Sequence, residues 1–337
     1  MKVSIVIPTY NEADYIKKCL ESIESQTYSL EKVEVIIVDG MSTDKTRSVI
    51  GAYSNKSKLN IKIVDNINKT APYAMNIGIS NAKGEVLIRI DGHAFMEEHF
   101  IENAIDILKE NSDIACVGGK IETISDSEIG KVISYAMMSP FGVGDAKFRY
   151  SNEEILVDTL AFGAYRKEIF EKIGMFDEEF VRNQDDEFNY RLIKSGKKIL
   201  LSPQIKSYYY GRNSIGKLFN QYFQYGYWKV KVAKKHKNIT SLRQLVPLVF
   251  TSSICSLMLL GLFSTGARYL LMSEVFLYLM CAIYFMKKVD MKKNIKSNIL
   301  LLKVFFILHF SYGMGYILGI KDFMFLNKKG NLNKISR

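Results

Sequence analysis

A few positions in this sequence carry side chains suited to holding a polyanion and moving a proton. Asp91 and His93 follow the apolar run at 85 to 90, two residues apart, so a hard carboxylate oxygen and an imidazole are both offered to a divalent cation. Asp185, Asp186 and Glu187 open a helical stretch, where the helix dipole favours carboxylates. Three consecutive acids also repel one another, which can raise one of them towards the pKa of a general base. Pro8, Thr9, Tyr10, Asn11 and Glu12 close the first apolar run with polar groups, and Asp39 closes the second, ahead of Ser42 and Thr43. Taken singly, each has an ordinary structural use: Asn11 as a helix cap, Asp91 as a turn residue, His93 as a surface histidine, the acids as complements of a helix end.

The elements that must position these groups are readable. Residues 3 to 8, 33 to 39, 60 to 65 and 85 to 91 are β-branched, nearly continuous apolar runs, the pattern of strands covered on both faces. Between the first two, residues 12 to 26 place Tyr15, Ile16, Cys19, Leu20 and Ile23 at helical spacing. Segments 43 to 54, 71 to 82 and 97 to 110 read the same way. This alternation predicts an α/β, doubly wound, mostly parallel sheet in which ligands gather at the strand C-terminal ends. Between Pro8 and Glu12 there is no glycine, which argues against the glycine-rich turn of a dinucleotide-dependent oxidoreductase.

The composition changes from about residue 245. Residues 245 to 263 are charge-free and apolar, 269 to 286 contain one acid, Glu274, and 299 to 320 contain Lys303, His309, Gly313, Gly315 and Gly319. All three runs are candidates to cross a bilayer. Lys231, Lys234, Lys235, Lys237 and Arg243 precede the first run, and Lys287, Lys288, Lys292, Lys293 and Lys296 follow the second. Both flanks should therefore be cytoplasmic, with 245 to 286 as a hairpin. A third full crossing would place the basic tail, Lys328, Lys329 and Arg337, outside, so 299 to 320 is re-entrant, interfacial or an exception to the charge rule. Ahead of the spans, 211 to 244 forms a basic, aromatic segment in which Ile215, Leu218, Phe219, Tyr222 and Phe223 share a helical face, suited either to a membrane interface or to packing on the domain. The expected organisation is a catalytic domain at 1 to 210, this segment, a transmembrane region at 245 to 320 and a tail at 321 to 337. The net charge of +11 then matches lipid headgroups and diphosphates; no nucleic-acid motif is present. Four dispersed cysteines suggest neither a zinc cluster nor a disulfide framework, in keeping with a reducing, cytosolic face.

Transfer of a sugar from a nucleoside diphosphate needs acceptors for base and ribose, a cation on the diphosphate and a base for the incoming hydroxyl, and the sequence offers candidates for each. In order, IVIPTYNE, VDGMSTDKT, IRIDGH and NQDDEFNYRL resemble the family 2 nucleotide-sugar glycosyltransferases, inverting enzymes of GT-A fold, over about residues 1 to 230. The likeness is to exopolysaccharide-type members with C-terminal membrane helices. It implies that Pro8, Thr9, Tyr10 and Glu12 line the nucleotide pocket, that Asp39 contacts uracil or ribose, and that Asp91 coordinates the metal. His93 stands where many members have the second aspartate of DxD, so the resemblance implies an imidazole as co-ligand, one that suits Mn2+ somewhat better than Mg2+. The family's base falls on Asp185, with Gln184 in place of its usual glutamate, so Asp186 and Glu187 are rivals; spacing to Arg191 favours Asp185. Gly40 also stands where many relatives carry a second aspartate. The QxxRW motif of processive members has no good match, so one sugar is expected per encounter, with Gln221 and Trp228 shaping an acceptor or membrane face. The implied donor is a nucleotide sugar, expected to be a UDP-sugar, and the implied acceptor a polyprenyl-diphosphate-linked saccharide, used in exopolysaccharide, capsule or other cell-surface glycan synthesis at the plasma membrane. A catalytically inactive nucleotide-sugar-binding or scaffold protein of the same fold is the alternative.

Overall fold

Apolar runs that alternate with amphipathic stretches fold here into strands joined by covering helices, as burial of both faces of a central sheet requires. The computed structural model describes residues 1–238, 242–288, 294–328 and 330. Its first part runs β1 Val3–Thr9, α1 Ile16–Glu24, β2 Val33–Asp39, α2 Thr46–Ser54, β3 Asn60–Asp65, α3 Ala71–Asn81, β4 Val86–Arg89, β5 Ala94–Met96, α4 Phe100–Glu110 and β6 Ile114–Ile124. There follow α5 Glu128–Met137, α6 Pro140–Val143, β7 Ile155–Leu156, β8 Gly163–Arg166, α7 Glu168–Ile173, α8 Gln184–Lys194 and β9 Lys198–Tyr210. Four long helices follow among the described residues: α9 Ile215–His236, α10 Leu245–Leu260, α11 Thr265–Lys287 and α12 Ile295–Gly319. Contacts divide the chain into two compact units, one of Met1–Glu122 with Tyr150–Tyr210, the other of Thr123–Arg149 with the chain from Gly211 onward.

The first unit is built on a nine-stranded sheet of order β3-β2-β1-β4-β8-β6-β9-β5, with β7 paired to β9. Parallel pairing joins β3, β2, β1 and β4. Beyond β4 the pairs of β8 with β4 and β6, and of β5 and β7 with β9, are antiparallel, so the parallel character is confined to the N-terminal half of a mixed sheet. The expectation that all four early strands are covered on both faces is corrected for β3, the sheet edge, whose Asn60, Lys62, Ile63 and Asp65 are exposed. Register matters for the site. Thr9 lies opposite Asp39, Asp39 opposite Asp65, and Val6 opposite Arg89, so the polar residues that end these strands meet along one edge.

In the second unit, α9 packs along α12 and α12 also meets α5, α10 and α11. Gly226 and Gly315 make this approach close, since a side chain at either would collide with the carbonyl oxygen of Tyr312 or Phe223 respectively. The buried residues of α9 are Leu218, Gln221, Tyr222 and a near-continuous series from Gln224 to Val232, whereas Phe219 and Phe223 are only half-buried. Leu218 and Tyr222 of the expected apolar face enter a core with Val304, Phe305 and Leu308 of α12, and Ile215 packs against it; further along α9 the buried surface becomes mixed polar and aromatic. Gln221 and Trp228 follow, both buried, with Trp228 against Tyr227 and Phe323 rather than on an acceptor or membrane face.

Among the described residues two helices are long and apolar enough to cross a membrane, α11 and the helix running from Ile295 through the π-turn at Ile320–Phe325. The run at 245 to 263 gives a helix that stops at Leu260, 16 residues, short of the roughly 20 that a bilayer requires. α11 is apolar around its circumference and almost wholly unburied, with Tyr269, Leu270, Phe276 and Leu277 outward. Its one acid is partnered: Ser253 Oγ donates to Glu274 at 2.7 Å. His309 is also satisfied, with Nε2 2.7 Å from the carbonyl of Phe141 and Nδ1 2.9 Å from the hydroxyl of Tyr278, a pattern that a neutral imidazole donating from Nε2 fulfils. Lys292, Lys293, Lys329 and the tail from 331 lie outside the described residues.

Candidate active site

The loop after β1 and the loop after β2 are laced together by short polar side chains. Asn11 adopts a left-handed conformation, φ 53°, which asparagine tolerates better than most residues. Its backbone N–H donates to Ser42 Oγ at 2.9 Å, while its side-chain oxygen accepts from Thr43 N at 2.9 Å. Glu12 N donates to Thr46 Oγ1 at 2.7 Å. Asp39 is fully buried beneath this lacing and accepts from Ser42 N at 3.0 Å, from Ser42 Oγ at 2.5 Å and from Arg47 Nε at 2.6 Å. The other end of the Arg47 guanidinium pairs with Asp65. Two carboxylates from neighbouring strands therefore share one cation, and Asp39 is held at the strand end beside Thr9.

At the end of β4 the chain turns through Asp91 and His93. A Cβ at Gly92 would lie 3.1 Å from Glu12 Cγ, so the absence of a side chain there lets Glu12 come close. His93 Nδ1 is 3.1 Å from Glu12 Oε1. The imidazole is further packed against Tyr209, ring centroids 4.8 Å apart. A carboxylate on one ring nitrogen orients a histidine. Beneath the turn the Cys19 thiol, 3.9 Å from the Asp91 carbonyl oxygen, is pushed far up by burial and by the charges of Glu12 and Asp91, which makes it inert.

Asp91 does not stand alone. Arg89 Nε and Nη2 each lie 3.3 Å from Asp91 Oδ1, and Arg89 Nη1 lies 3.9 Å from Asp185 Oδ2. Burial works to lower the Arg89 pKa, but Asp91 and Asp185 more than offset it and hold the guanidinium above its ordinary value. The buried cation thus joins the residue expected at the diphosphate to the residue expected as base.

How Asp185 reaches this place follows from its helix. Asn183 is left-handed, φ 59°, and starts α8 so that Gln184, Asp185, Asp186 and Glu187 fill its first turn. Glu187 is fully buried and paired with Arg191, whose Nε and Nη2 approach its carboxylate at 2.9 to 3.1 Å. Arg191 also donates to the carbonyls of Ile173 and Met175, and Asn76 fastens the same loop through Phe176 N and O. Glu187 and Arg191 therefore anchor α8. Asp185 keeps a partly open carboxylate, accepting from Asp186 N at 3.0 Å.

Among the described residues no group of three or more His, Cys, Asp or Glu side chains could hold a metal ion alone. Asp91 and His93 could supply two ligands, a donor set that fits a divalent cation completed by substrate phosphates and water.

The profile described as Glycosyl transferase family 2 matches residues 4–174. The chain belongs to that family. Over 328 residues, 94% of this chain and 97% of the relative, it is 36% identical to the dolichyl N-acetyl-α-D-glucosaminyl phosphate 3-β-D-2,3-diacetamido-2,3-dideoxy-β-D-glucuronosyltransferase of Methanococcus voltae. It is 32% identical to the succinoglycan biosynthesis protein ExoA of Rhizobium meliloti strain 1021, over 72% of this chain and 74% of ExoA. In fold it is similar to the mannosyltransferase PcManGT of Pyrobaculum calidifontis, solved with GDP-Man and Mn2+, at a TM-score of 0.64 and 18% identity, covering 94% of this chain and 87% of the other. This family 2 glycosyltransferase has the GT-A-like architecture that its motifs imply.

The glycosyltransferase brings Thr9, Glu12, Asp39, Asp91 and His93 to one sheet edge and adds Asp185 through Arg89. Gln221 and Trp228 are interior residues of the second unit. Arg89 and Arg47 escaped the sequence reading. An arginine inside an apolar strand, as in IRIDGH, was the available signal for the first; no comparable signal marked the second.

Proposed function

We propose that the protein is an inverting glycosyltransferase that moves a single sugar from a nucleotide-sugar donor, a UDP-sugar, to a membrane lipid-linked saccharide, in the synthesis of a cell-surface glycan. The observation that carries this reading is the placement of Asp185 and Asp91 on the two sides of one buried guanidinium. Pro8, Thr9, Tyr10, Glu12 and the Asp39 loop receive the nucleoside. Asp91, with His93 oriented by Glu12, faces the diphosphate, and these two residues hold the Mn2+ or Mg2+ ion. When bound, that ion neutralises charge on the diphosphate. Asp185 accepts the proton of an acceptor hydroxyl as its oxygen attacks the anomeric carbon; the bond to the diphosphate oxygen breaks in the same step, and configuration inverts.

The acceptor class is supported by the relatives, one named for a dolichyl-phosphate-linked sugar and one for succinoglycan synthesis. The apolar helices α11 and α12 support a membrane location, since a bare apolar surface of this size is costly in water. The basic flanks of these helices favour a multi-pass arrangement with the catalytic unit, residues 1–122 and 150–210, at the cytoplasmic face and the 211 to 244 segment close to anionic lipid. A screen of nucleotide sugars against polyprenyl-diphosphate-linked acceptors, with Mn2+ or Mg2+, tests the reading by following both transferred sugar and free nucleoside diphosphate. Transfer with one donor is expected. Tight donor binding with neither transfer nor hydrolysis would favour a scaffold protein instead.

A further inference from the structure

Arg89 is costly to keep. It lies in the last position of β4, opposite Val6 of β1, with a side chain only 8% exposed. An apolar side chain would pack at such a position without desolvating a charge, and buried ion pairs are seldom retained for stability alone. The way the guanidinium is used is also unusual. Nε and Nη2 converge on a single oxygen, Asp91 Oδ1, rather than forming the parallel two-oxygen fork that arginine favours with carboxylates. Nη1 is buried and has no hydrogen-bond partner; Asp185 Oδ2 is 3.9 Å away from it. A closure of about 1 Å would bring that donor and acceptor into hydrogen-bond range.

We propose that Arg89 is a positioning residue that sets the separation between Asp185 and Asp91, aligning the proton acceptor with the departing diphosphate. The proposal rests on the reading of the site given above. Asp185 sits on the first turn of a helix anchored through Glu187 and Arg191, whereas Asp91 belongs to a strand end, so the two are carried by different elements. Arg89 joins them directly. Its planar fork defines both direction and distance, which the single ammonium of a lysine cannot do.

Full-length wild-type protein, Arg89→Gln, Arg89→Lys, Asp185→Asn and the Arg89→Gln/Asp185→Asn pair are compared for kcat, KM of the donor, nucleoside-diphosphate affinity by calorimetry and thermal unfolding. The expected result is a fall in kcat of about 100-fold for Arg89→Gln, the effect of misplacing a catalytic group by about an ångström. Arg89→Lys recovers part of it, while KM and nucleotide affinity stay within about 3-fold of wild type. In the Asp185→Asn background, Arg89→Gln has little further effect because it acts through that residue. An unchanged kcat, a full multiplicative loss in the double variant, or a joint loss of nucleotide affinity and folding in both Arg89 variants would overturn the proposal. Asp185→Asn turning over like wild type would instead overturn the reading on which it rests.

Discussion

His93 Nδ1 stands 3.1 Å from Glu12 Oε1, a contact that ties the strand end after β4 to the loop after β1 across 81 positions of sequence. His93 is thereby held in one orientation by a carboxylate, as a ring that is to serve a cation would need to be.

Removing either partner should weaken use of the cation. His93→Ala and Glu12→Gln are expected to raise the Mn2+ concentration for half-maximal transfer by about 10-fold or more. Calorimetric titration of Mn2+ into the nucleotide-saturated protein should show the same shift, and a chelator should abolish transfer in the wild type. Unaltered Mn2+ dependence in both variants would remove His93 as a ligand.

In the proposed function Asp39 serves the nucleoside, not the reacting bond. Asp39→Ala should raise the KM of the donor by about 10-fold with kcat nearly constant, the signature of lost uniform binding. Arg47→Ala should act in the same direction because it removes the guanidinium that helps to hold the Asp39 carboxylate in place. Steady-state kinetics with varied donor separates this outcome from a loss in kcat, which would place Asp39 at the chemistry.

Glu187 and Asp185 are two residues apart and should fail in different ways. Glu187 is fully buried against Arg191, and removing one partner of such a pair costs about 3 to 5 kcal/mol. Glu187→Gln is therefore expected to lower the unfolding temperature sharply. Asp185→Asn should leave it almost unchanged. Thermal unfolding of the purified variants decides between a structural and a catalytic acid.

The seam between α9 and α12 can be tested with glycines that differ only in their surroundings. A side chain at Gly315 would run into the carbonyl of Phe223, whereas at Gly216, in α9, nothing lies within 4 Å. Gly315→Leu should cost about 1 to 3 kcal/mol or more through overpacking. Gly216→Ala should be neutral or stabilising by about 0.5 to 1 kcal/mol. Melting of detergent-solubilised protein reads both, and equal tolerance of the two would contradict the packing described.

The sheet's N-terminal half was legible because its strands are local, apolar runs bounded by polar residues: Val33–Asp39 and Asn60–Asp65 begin and end where the sequence predicts. The exposure of β3 was not legible, since a β-branched run reads alike in a central and an edge strand. The antiparallel half depends on pairings such as Ala94 with Tyr209, more than 100 residues apart, which no local pattern encodes. Within the site, Asp91, His93 and Asp185 stood out by type and position. Arg89 and Arg47 did not, because their meaning lies in the carboxylates they meet in space. The burial of polar positions on α9 was missed for a related reason: Gln221, Gln224 and Gly226 look solvent-facing until the glycines of α12 are seen to bring the two backbones together.

The most direct test is the rate of sugar transfer by Asp185→Asn relative to wild type, at saturating donor and Mn2+, with folding verified. The account predicts a fall of about 1000-fold or more with nucleotide binding preserved, as expected when a general base is lost from an intact site. Transfer at the wild-type rate would contradict it.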